Sequence, residues 1–287
     1  MGNIKYSILV PLYNKKDCLI KYFYRIANQT FKNYEIVVVD DASTDGSYEY
    51  LKDNYKNIVL IRNNENYGVG YTRNILISNA RGKYVLFVDP DDYVEFDLLK
   101  EIDKQIEDVD ILRFQNIIEP ISISKIQQEK GKDKYRYGCK PVDNINGENA
   151  LLAWCLGERN INTFPWTYVI KKDLYSGVYY PKLNILEDFA VTPYLIAKAK
   201  KVKAISYVGY HYLLYDDSLS NGNDDLSSQL KKLQILYDVV QLAIENINDT
   251  NISYETKQIY IADVINRYNI RKCRINNLLG DIKVKKL

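Results

Sequence analysis

The stretch KYVLFVDPDD, residues 83–92, carries an apolar run directly into a cluster of aspartates. YEIVVVDD at residues 34–41 has the same form, with an apolar run that ends in paired aspartates. Short apolar runs bounded by polar residues are typical of buried strands, and the segments between these runs have helical spacing. The alternation predicts βαβ units, and hence an α/β protein with a mainly parallel sheet.

Polar residues follow the predicted strands at the point where each strand ends. Asn14 follows the first strand, Asp40 and Asp41 follow the second, and the cluster at 89–92 follows the fourth. In open α/β sheets the ligand binds beyond the carboxyl ends of the strands. We therefore expect these side chains to converge on one crevice.

Bulk composition describes an ordinary globular protein. The chain has 287 residues, 46% of them hydrophobic, and its 39 basic and 37 acidic side chains give a net charge of +2. This balance argues against nucleic acid as a partner. The N-terminal residues lack the long apolar region and cleavage site of a secretory leader. A run of about 18 apolar residues, which a conventional membrane-spanning helix needs, does not occur.

Four cysteines are widely scattered, and the chain has only one histidine. No CxxC pair is present, so the spacing does not support a zinc site. Reduced thiols fit best, and we expect a cytoplasmic protein.

The rest of the chain divides by its patterning. Residues 118–149 are polar and weakly patterned, which leaves open a loop over the site or an inserted hairpin. Residues 150–220 regain apolar patterning, with a predicted helix over 187–198, and we assign them to acceptor binding. Two amphipathic helices follow as a C-terminal appendage. The expected divisions are a domain over 1–222, with a donor half at 1–115 and an acceptor half at 116–222, and a helical region over 223–287.

The aspartates Asp89, Asp91 and Asp92 are the strongest candidates for chemistry. Clustered carboxylates at a strand end are costly unless a cation neutralises them. Mg²⁺ or Mn²⁺ prefers oxygen ligands, usually one or two carboxylates with substrate phosphates and water. The alternative is a solvated acidic turn in which Asp91 or Asp92 caps the next helix.

The segment DDASTDG, residues 40–46, offers a second candidate. Ser43, Thr44 and Asp45 are most economically explained as the start of a helix. Asp41 has less reason to cap a helix, and its carboxylate can accept hydrogen bonds from a nucleobase or a ribose. Tyr13 can stack on the base.

Four motifs occur in the order PLYN, VVVDDASTDGS, NxGVGxxRN and FVDPDD. In this order and at these spacings they resemble the family 2 glycosyltransferases with a GT-A fold, familiar from bacterial capsule, teichoic acid and lipopolysaccharide assembly. PW at 165–166, LED at 186–188 and SLS at 218–220 extend the resemblance over about residues 6–221. It implies a Rossmann-like, mixed and mainly parallel sheet flanked by helices.

The resemblance also implies roles for individual residues. The donor nucleotide would be held by Pro11, Tyr13 and Asp41 at the uracil, by Asn14 and Asp40 beside them, and by Arg73 and the DxD aspartates Asp89 and Asp91. The metal would be held by Asp91 and Asp92, with His211 as a further candidate ligand. The catalytic pair would be Asp188 as the base and Glu187, while Trp166 would contact the acceptor.

These assignments have plainer alternatives. Arg73 would otherwise form a salt bridge on a helix surface, and Glu187 with Asp188 would complement a helix dipole. His211 would otherwise be a semi-buried histidine with satisfied hydrogen bonds. Family members often carry an arginine after the aromatic pair, where this chain has Leu213 and Leu214, so diphosphate neutralisation would rely more on the metal, Arg73 and His211.

The predicted activity is that of an inverting glycosyltransferase that uses Mn²⁺ or Mg²⁺. It would transfer a hexosyl or N-acetylhexosaminyl group from a nucleotide diphosphate sugar, a UDP-sugar by resemblance, to a glycan or lipid-linked acceptor. A positioned carboxylate is needed because a hydroxyl is a poor nucleophile until it loses its proton.

Two rival functions remain. A sugar-nucleotide transferase usually has a Gly-rich basic loop after the first strand, where this chain has LYNKKD. A catalytically silent carbohydrate-binding protein of the same fold would not need the intact DPDD and ED pairs. A dinucleotide-dependent enzyme is weaker still, because GVGYTR lacks the GxGxxG spacing.

The C-terminal region is basic. Arg271, Lys272 and Arg274, with the final KVKKL, suit an anionic membrane that carries a lipid-linked acceptor. The alternative is a solvated basic face that completes packing or a homodimer. The sequence is therefore compatible with a location of the protein at the inner face of the cytoplasmic membrane, without requiring it.

Overall fold

The structure is a computed structural model that describes residues 3–120, 136–137, 141–158, 162–214 and 225–284. Its strands are β1 (Tyr6–Leu12), β2 (Tyr34–Asp40), β3 (Val59–Arg62), β4 (Tyr84–Phe87), β5 (Tyr93–Val94), β6 (Ile111–Pro120), β7 (Arg136–Tyr137), β8 (Val142–Ile145), β9 (Tyr168–Lys171) and β10 (Val202–Leu214). Within these residues they form one mixed sheet of order β3-β2-β1-β4-β9-β6-β10-β5, with β7 paired to β6 and β8 to β10. Cys139, the SLS motif at 218–220 and the expected boundary at 222 lie outside the described residues.

The donor half is a parallel sheet, as the apolar runs predict. β3, β2, β1 and β4 all run in the same direction. Successive side chains of a strand point to opposite faces, so Val37 and Val39 enter one hydrophobic core while Ile36 and Val38 enter the other. The register pairs Leu12 with Asp40, and the loops after β1 and β2 therefore emerge side by side.

The acceptor half adds strands that the apolar patterning did not resolve. β9 is antiparallel to both β4 and β6, whereas β6 and β10 are parallel to each other. β5 has two residues, follows the aspartates at 89–92 directly, and pairs antiparallel with β10. The 13-residue strand β10 therefore links the acceptor half to the aspartate loop.

Helices cover both faces of the sheet. They are α1 (Lys16–Ala27), α2 (Ser47–Asn54), α3 (Val69–Asn79), α4 (Leu98–Asp103), α5 (Gly147–Cys155), α6 (Glu187–Lys198), α7 (Leu226–Asn248) and α8 (Tyr254–Val284). Side chains of α3 and of α5 to α8 build one core, and those of α1, α2 and α4 build the other. The predicted helix at 187–198 is confirmed, whereas the helix expected from Ser43 begins at Ser47.

The two C-terminal helices pack into the first core instead of standing apart from it. Val239 and Ile247 of α7 and Val264 of α8 are buried there with residues of α5 and α6. Trp154 of α5 lies 5.7 Å from Tyr260 of α8, measured between ring centroids. None of the helices among the described residues combines the length and the apolar character needed to cross a bilayer.

Candidate functional site

A cavity of about 620 Å³ opens beyond the carboxyl ends of the parallel strands. The predicted site residues in its wall are Pro11, Tyr13, Asn14, Asp41, Arg73, Asp89, Asp91 and Glu187. They come from the ends of β1, β2 and β4 and from the starts of α3 and α6, so the expected convergence is observed for Asn14, Asp41, Asp89 and Asp91. A second cavity of about 550 Å³, between α5, α6 and the α7–α8 loop, contains no predicted site residue in its described wall.

Asp41 is held by donors from the loop that precedes α3. Its carboxylate accepts hydrogen bonds from the Asn63 side chain at 2.7 Å and from the backbone N–H groups of Tyr67 at 3.0 Å and Gly68 at 2.8 Å. Carboxylate oxygens have about four acceptor positions, so Asp41 can still accept one hydrogen bond from a ligand in the cavity.

The loops after β1 and β2 are tied together by side chains. Asn14 adopts a positive φ of 49°, its N–H donates to Ser43 Oγ at 2.9 Å, and its Oδ1 accepts from the Thr44 N–H at 2.8 Å. Residues 43–46 therefore form a loop that is hydrogen-bonded to the loop after β1, and they are not the first turn of α2. Tyr13 lies in the loop after β1 with 46% of its surface exposed, which leaves its ring accessible to a planar ligand.

Asp40 is fully buried and is not part of the cavity wall. It accepts hydrogen bonds from the Ser43 N–H at 3.2 and 3.3 Å, and Arg62 Nε lies 3.2 Å from it. Burial raises the pKa of Asp40, although Ser43 and Arg62 oppose that shift. The geometry supports a structural role for Asp40 in shaping the loop, in place of the expected direct contact with the nucleotide.

Arg73 forms a buried ion pair with Glu187 across the cavity floor. Its other terminal nitrogen, Nη2, lies 3.7 Å from Asp89, and the rings of Phe87 and Tyr180 lie 5.4 and 5.6 Å from the guanidinium carbon. Although burial disfavours its charge, Glu187 and then Asp89 raise the pKa of Arg73. The helix-surface salt bridge considered as an alternative is therefore wrong, since Arg73 is 5% exposed.

Asp89 and Asp91 share the cavity with two positively charged side chains, those of Lys15 and Arg73. Lys15 Nζ lies 2.7 Å from Asp91, and Arg73 faces Asp89. Burial raises the pKa of Asp89 to about 6, with Arg73 lowering it and the charges of Asp91 and Glu187 raising it further. No cluster of three metal-ligating side chains occurs in the described parts of the chain. Two carboxylates in one cavity still fit Mg²⁺ or Mn²⁺, because such ions complete their shell with substrate phosphates and water.

Asp92 turns away from this cavity. One carboxylate oxygen accepts from the Tyr210 hydroxyl at 2.6 Å and the other from the Leu213 N–H at 2.8 Å. Burial raises the pKa of Asp92 well above its ordinary value, with Asp91 and Asp89 adding to the shift. These contacts argue against Asp92 as a metal ligand, because both oxygens already anchor the loop to β10.

His211 lies on β10 beside β5, and it is absent from the described wall of the cavity. Its two ring nitrogens contact Glu95 and Glu119. His211 therefore lies outside the cavity proposed for the metal and diphosphate, and the alternative of a semi-buried histidine with satisfied hydrogen bonds fits the geometry.

Asp188 follows Glu187 at the start of α6, just after Leu186, which has a positive φ of 63°. Glu187 reaches the cavity, and the half-buried Asp188 stands next to it without forming part of the wall. Burial and then the neighbouring Glu187 charge raise the pKa of Asp188. A carboxyl group with a raised pKa is better suited to accept a proton near neutral pH than an ordinary one.

Trp166 is 7% exposed and stacks against Tyr212 and Tyr210, with centroid distances of 5.5 and 4.6 Å. Tyr212, not Trp166, lines the cavity. Trp166 thus supports Tyr212 from behind, and its contact with the acceptor stays a prediction. Sequence analysis also missed Lys15, although it directly follows PLYN, and Asn184, for which the sequence offers no signal.

Comparisons with known proteins show similarity in sequence and in fold. The family model described as glycosyl transferase family 2 matches residues 7–141. Glycosyltransferase GlyG of Streptococcus pneumoniae is 34% identical over 233 residues, which cover 77% of this chain and 74% of GlyG. Poly(ribitol-phosphate) beta-N-acetylglucosaminyltransferase TarS of Staphylococcus aureus is 25% identical over 278 residues, covering 92% of this chain but 44% of TarS.

Solved structures show the same fold. The crystal structure of S. aureus TarS 1–349 in complex with UDP-GlcNAc has a TM-score of 0.73 at 23% identity, covering 92% of this chain and 72% of that chain. Mannosyltransferase PcManGT of Pyrobaculum calidifontis, in complex with GDP-Man and Mn²⁺, has a TM-score of 0.55 at 16% identity and covers 98% of this chain and 79% of that chain. The expected GT-A architecture is confirmed. This chain spans less than half the length of full-length TarS.

Proposed function

Because this chain belongs to glycosyl transferase family 2, we propose that it transfers a sugar from a UDP-sugar to a hydroxyl of a surface glycan, with inversion at the anomeric carbon. One observation carries the proposal: Asp41, Asp89, Asp91 and Glu187 line the same cavity as the buried cation Arg73. Carboxylates gathered at strand ends favour a bound cation, and a buried arginine in the same cavity favours an anionic group such as a diphosphate.

The nucleoside occupies the side of the cavity formed by Pro11, Tyr13 and Asp41. Tyr13 stacks on the uracil, and Asp41 accepts a hydrogen bond from its imide N–H. Uridine is favoured because the TarS structures are complexes with UDP and UDP-GlcNAc. Asn14 keeps this side in shape through the adjoining loop.

Asp89 and Asp91 would hold Mn²⁺ or Mg²⁺ together with the diphosphate. When bound, such an ion stabilises negative charge on the leaving diphosphate as a Lewis acid. Arg73 and Lys15 supply fixed positive charge in the same cavity, which this chain needs because Leu213 and Leu214 replace a family arginine.

Asp188 acts as the general base, and Glu187 holds Arg73 in place. The acceptor oxygen attacks the anomeric carbon and loses its proton to Asp188 as the bond to the diphosphate oxygen breaks on the opposite face. The raised pKa of Asp188 suits this role. The acceptor is a glycan or lipid-linked glycan, by analogy with relatives whose names specify poly(ribitol-phosphate) and diphosphoundecaprenol acceptors.

The enzyme acts at the cytoplasmic face of the membrane. The exposed side chains of Arg271, Lys272 and Arg274 on α8 form a basic surface for anionic lipids. Sedimentation with anionic and with neutral vesicles tests this contact, using a variant with all three changed to Glu. Loss of binding in the variant supports it, whereas concentration-dependent dimerisation without vesicle binding supports the alternative, a homodimer through this helix.

A screen of nucleotide sugars tests the proposed activity. We expect hydrolysis of a UDP-sugar that EDTA abolishes and Mn²⁺ or Mg²⁺ restores. Release of pyrophosphate from UTP and a sugar phosphate would instead indicate a sugar-nucleotide transferase. Donor binding without turnover on any acceptor would indicate the silent carbohydrate-binding protein.

A further inference from the structure

His211 is enclosed by carboxylates at a place outside the donor cavity. Its Nε2 lies 2.8 Å from Oε1 of Glu95, and its Nδ1 lies 2.8 Å from Oε1 of Glu119. The Tyr93 ring stacks on the imidazole at 4.1 Å between centroids, and the Tyr93 hydroxyl donates to Glu119 at 3.2 Å. His211 is 8% exposed, so water competes little for these contacts.

These contacts decide the protonation state of the imidazole. An ionised carboxylate can only accept hydrogen bonds, so each ring nitrogen must carry a hydrogen. A neutral imidazole has one N–H and would point a lone pair at one of the two carboxylates. The imidazolium satisfies both, and such charge-assisted hydrogen bonds are about twice as strong as neutral ones.

Further groups from α1 complete the surroundings. Arg25 Nη1 lies 3.8 Å from Glu95, and its guanidinium lies 4.8 Å from the centroid of the Tyr93 ring. Tyr22 stacks on Tyr93 at 5.8 Å. The carboxylates of Glu95, which directly follows β5, and of Glu119 on β6 are thus balanced by the imidazolium of β10 and the guanidinium of α1.

The cluster lies where the aspartate loop is attached to the sheet. β5 begins directly after Asp92 and has two residues, so its ladder with β10 contains few hydrogen bonds. β10 also holds Asp92 through the Tyr210 hydroxyl and the Leu213 N–H. The hydrogen bonds of His211 add a second attachment of this segment, through Glu95, and link it to the end of β6 through Glu119.

We propose that His211 is a positioning residue that, as an imidazolium, fastens β5 to β10 and β6 and thereby holds Asp89 and Asp91 in place for donor binding. The positioning role rests on the proposed function, whereas the charge state of His211 does not.

A nuclear magnetic resonance measurement tests the charge state without any activity. His211 is the only histidine in the chain, so labelling with ¹⁵N-histidine gives its ring signals without an assignment. We expect hydrogen on both ring nitrogens at neutral pH. The doubly protonated fraction at that pH should fall in Glu119→Gln and stay unchanged in Glu107→Gln, a control at an exposed carboxylate. A neutral ring in the wild type would overturn the proposal.

Calorimetric titration with UDP and Mn²⁺ tests the positioning. His211→Gln should weaken UDP binding by about tenfold, because the loop that carries Asp89 and Asp91 would then hold its binding conformation in a smaller fraction of the molecules. Glu119→Gln, which removes the carboxylate from the imidazole Nδ1–H, should weaken UDP binding in the same direction, whereas Glu107→Gln should not. Unchanged affinity in a folded variant would overturn the positioning role. If the wild type binds no UDP, the proposed function and the positioning role both fail, and the charge state is judged by resonance alone.

Discussion

Asp89, which we propose binds the metal, is a buried carboxylate whose ionisation costs the folded protein stability. Because burial raises its pKa to about 6 from 3.8, its ionisation is less favourable in the folded than in the unfolded chain. The resulting loss of stability is absent at pH values below the unfolded pKa and complete above the folded one.

Asp89→Asn should therefore raise the free energy of unfolding at neutral pH by about 1–3 kcal/mol, while donor binding is lost. Calorimetric melting temperatures of both proteins at neutral pH and at a pH near the ordinary Asp pKa check this. The gain should disappear at the lower pH. A variant that is less stable than the parent at neutral pH would contradict the argument.

Asp188→Asn should lower kcat by about 10²–10⁴-fold, since it removes the proposed general base. The affinity for UDP should change little, because Asp188 is not part of the cavity wall. Because its raised pKa must be exceeded for the base to be ionised, wild-type kcat should rise with pH through that pKa. Asp173→Asn, at an exposed carboxylate, is the matched control. A variant with most of the wild-type kcat would rule out this base.

Neighbouring aspartates of one motif show that the sequence does not predict the direction of each side chain. Asp91 faces the cavity and Asp92 faces the Tyr210 hydroxyl, although both belong to the same DPDD motif. Asp40 and Asp41 divide in the same way. A motif marks the strand end, but the direction of each side chain depends on the turn and on partners such as β10, which are distant in the sequence.

The helix α3 is pressed against the loop that leads into α6. A Cβ on Gly70 would lie 1.9 Å from the Pro181 carbonyl oxygen, and the Gly70 N–H already donates to the Leu183 carbonyl at 3.0 Å. The side-chain amide of Asn74 exchanges two hydrogen bonds with the backbone of Tyr180, at 2.9 and 2.8 Å. Contacts along α3 thus join the donor half to the segment that carries Glu187 and Asp188.

Gly70→Ala should separate α3 from this loop and destabilise the fold by about 1–3 kcal/mol. Turnover should fall further than stability explains, because Arg73 and Glu187 are carried on the two separated segments. Thermal unfolding and donor hydrolysis measure the two effects. Ser78→Ala, at the exposed end of the same helix, should change neither. Wild-type turnover in Gly70→Ala would refute the coupling.

The elements of the donor half follow from the sequence because their signals are local. Apolar runs mark β1, β2 and β4, and helical spacing marks α1 and α3. In the acceptor half, β9 and β10 obtain their places from pairing with distant strands, and β10 has mixed burial along its length. Local patterning cannot resolve such strands, so only the helix α6 is predicted closely there.

The C-terminal helices α7 and α8 belong to the hydrophobic core. The sequence instead suggests that they form an appendage. Their amphipathic pattern shows that one face is buried but does not identify its partner. That partner is formed by α5 and α6, and α6 begins with Glu187 and Asp188. Stability of the acceptor half therefore depends on α7 and α8.

Val264→Ala and Ile265→Ala test this dependence as a neighbouring pair. Val264 is 0% exposed and Ile265 is 41% exposed. Val264→Ala should lower the free energy of unfolding by about 2 kcal/mol in a single cooperative transition, and Ile265→Ala by less than about 0.5 kcal/mol. Denaturant unfolding followed by tryptophan fluorescence measures both. A separate, early transition of the C-terminal helices would contradict a shared core.

The proposed activity depends on one cavity in which carboxylates from separate strand ends meet a nucleotide diphosphate. Titration calorimetry of UDP with Mn²⁺ on the wild type, Asp41→Asn, Asp91→Asn and the exposed control Asp53→Asn tests this most directly. We expect the wild type and Asp53→Asn to bind equally and each cavity variant to bind at least about tenfold more weakly. Wild-type affinity in both cavity variants would show that the nucleotide binds elsewhere, or that the protein does not act on one.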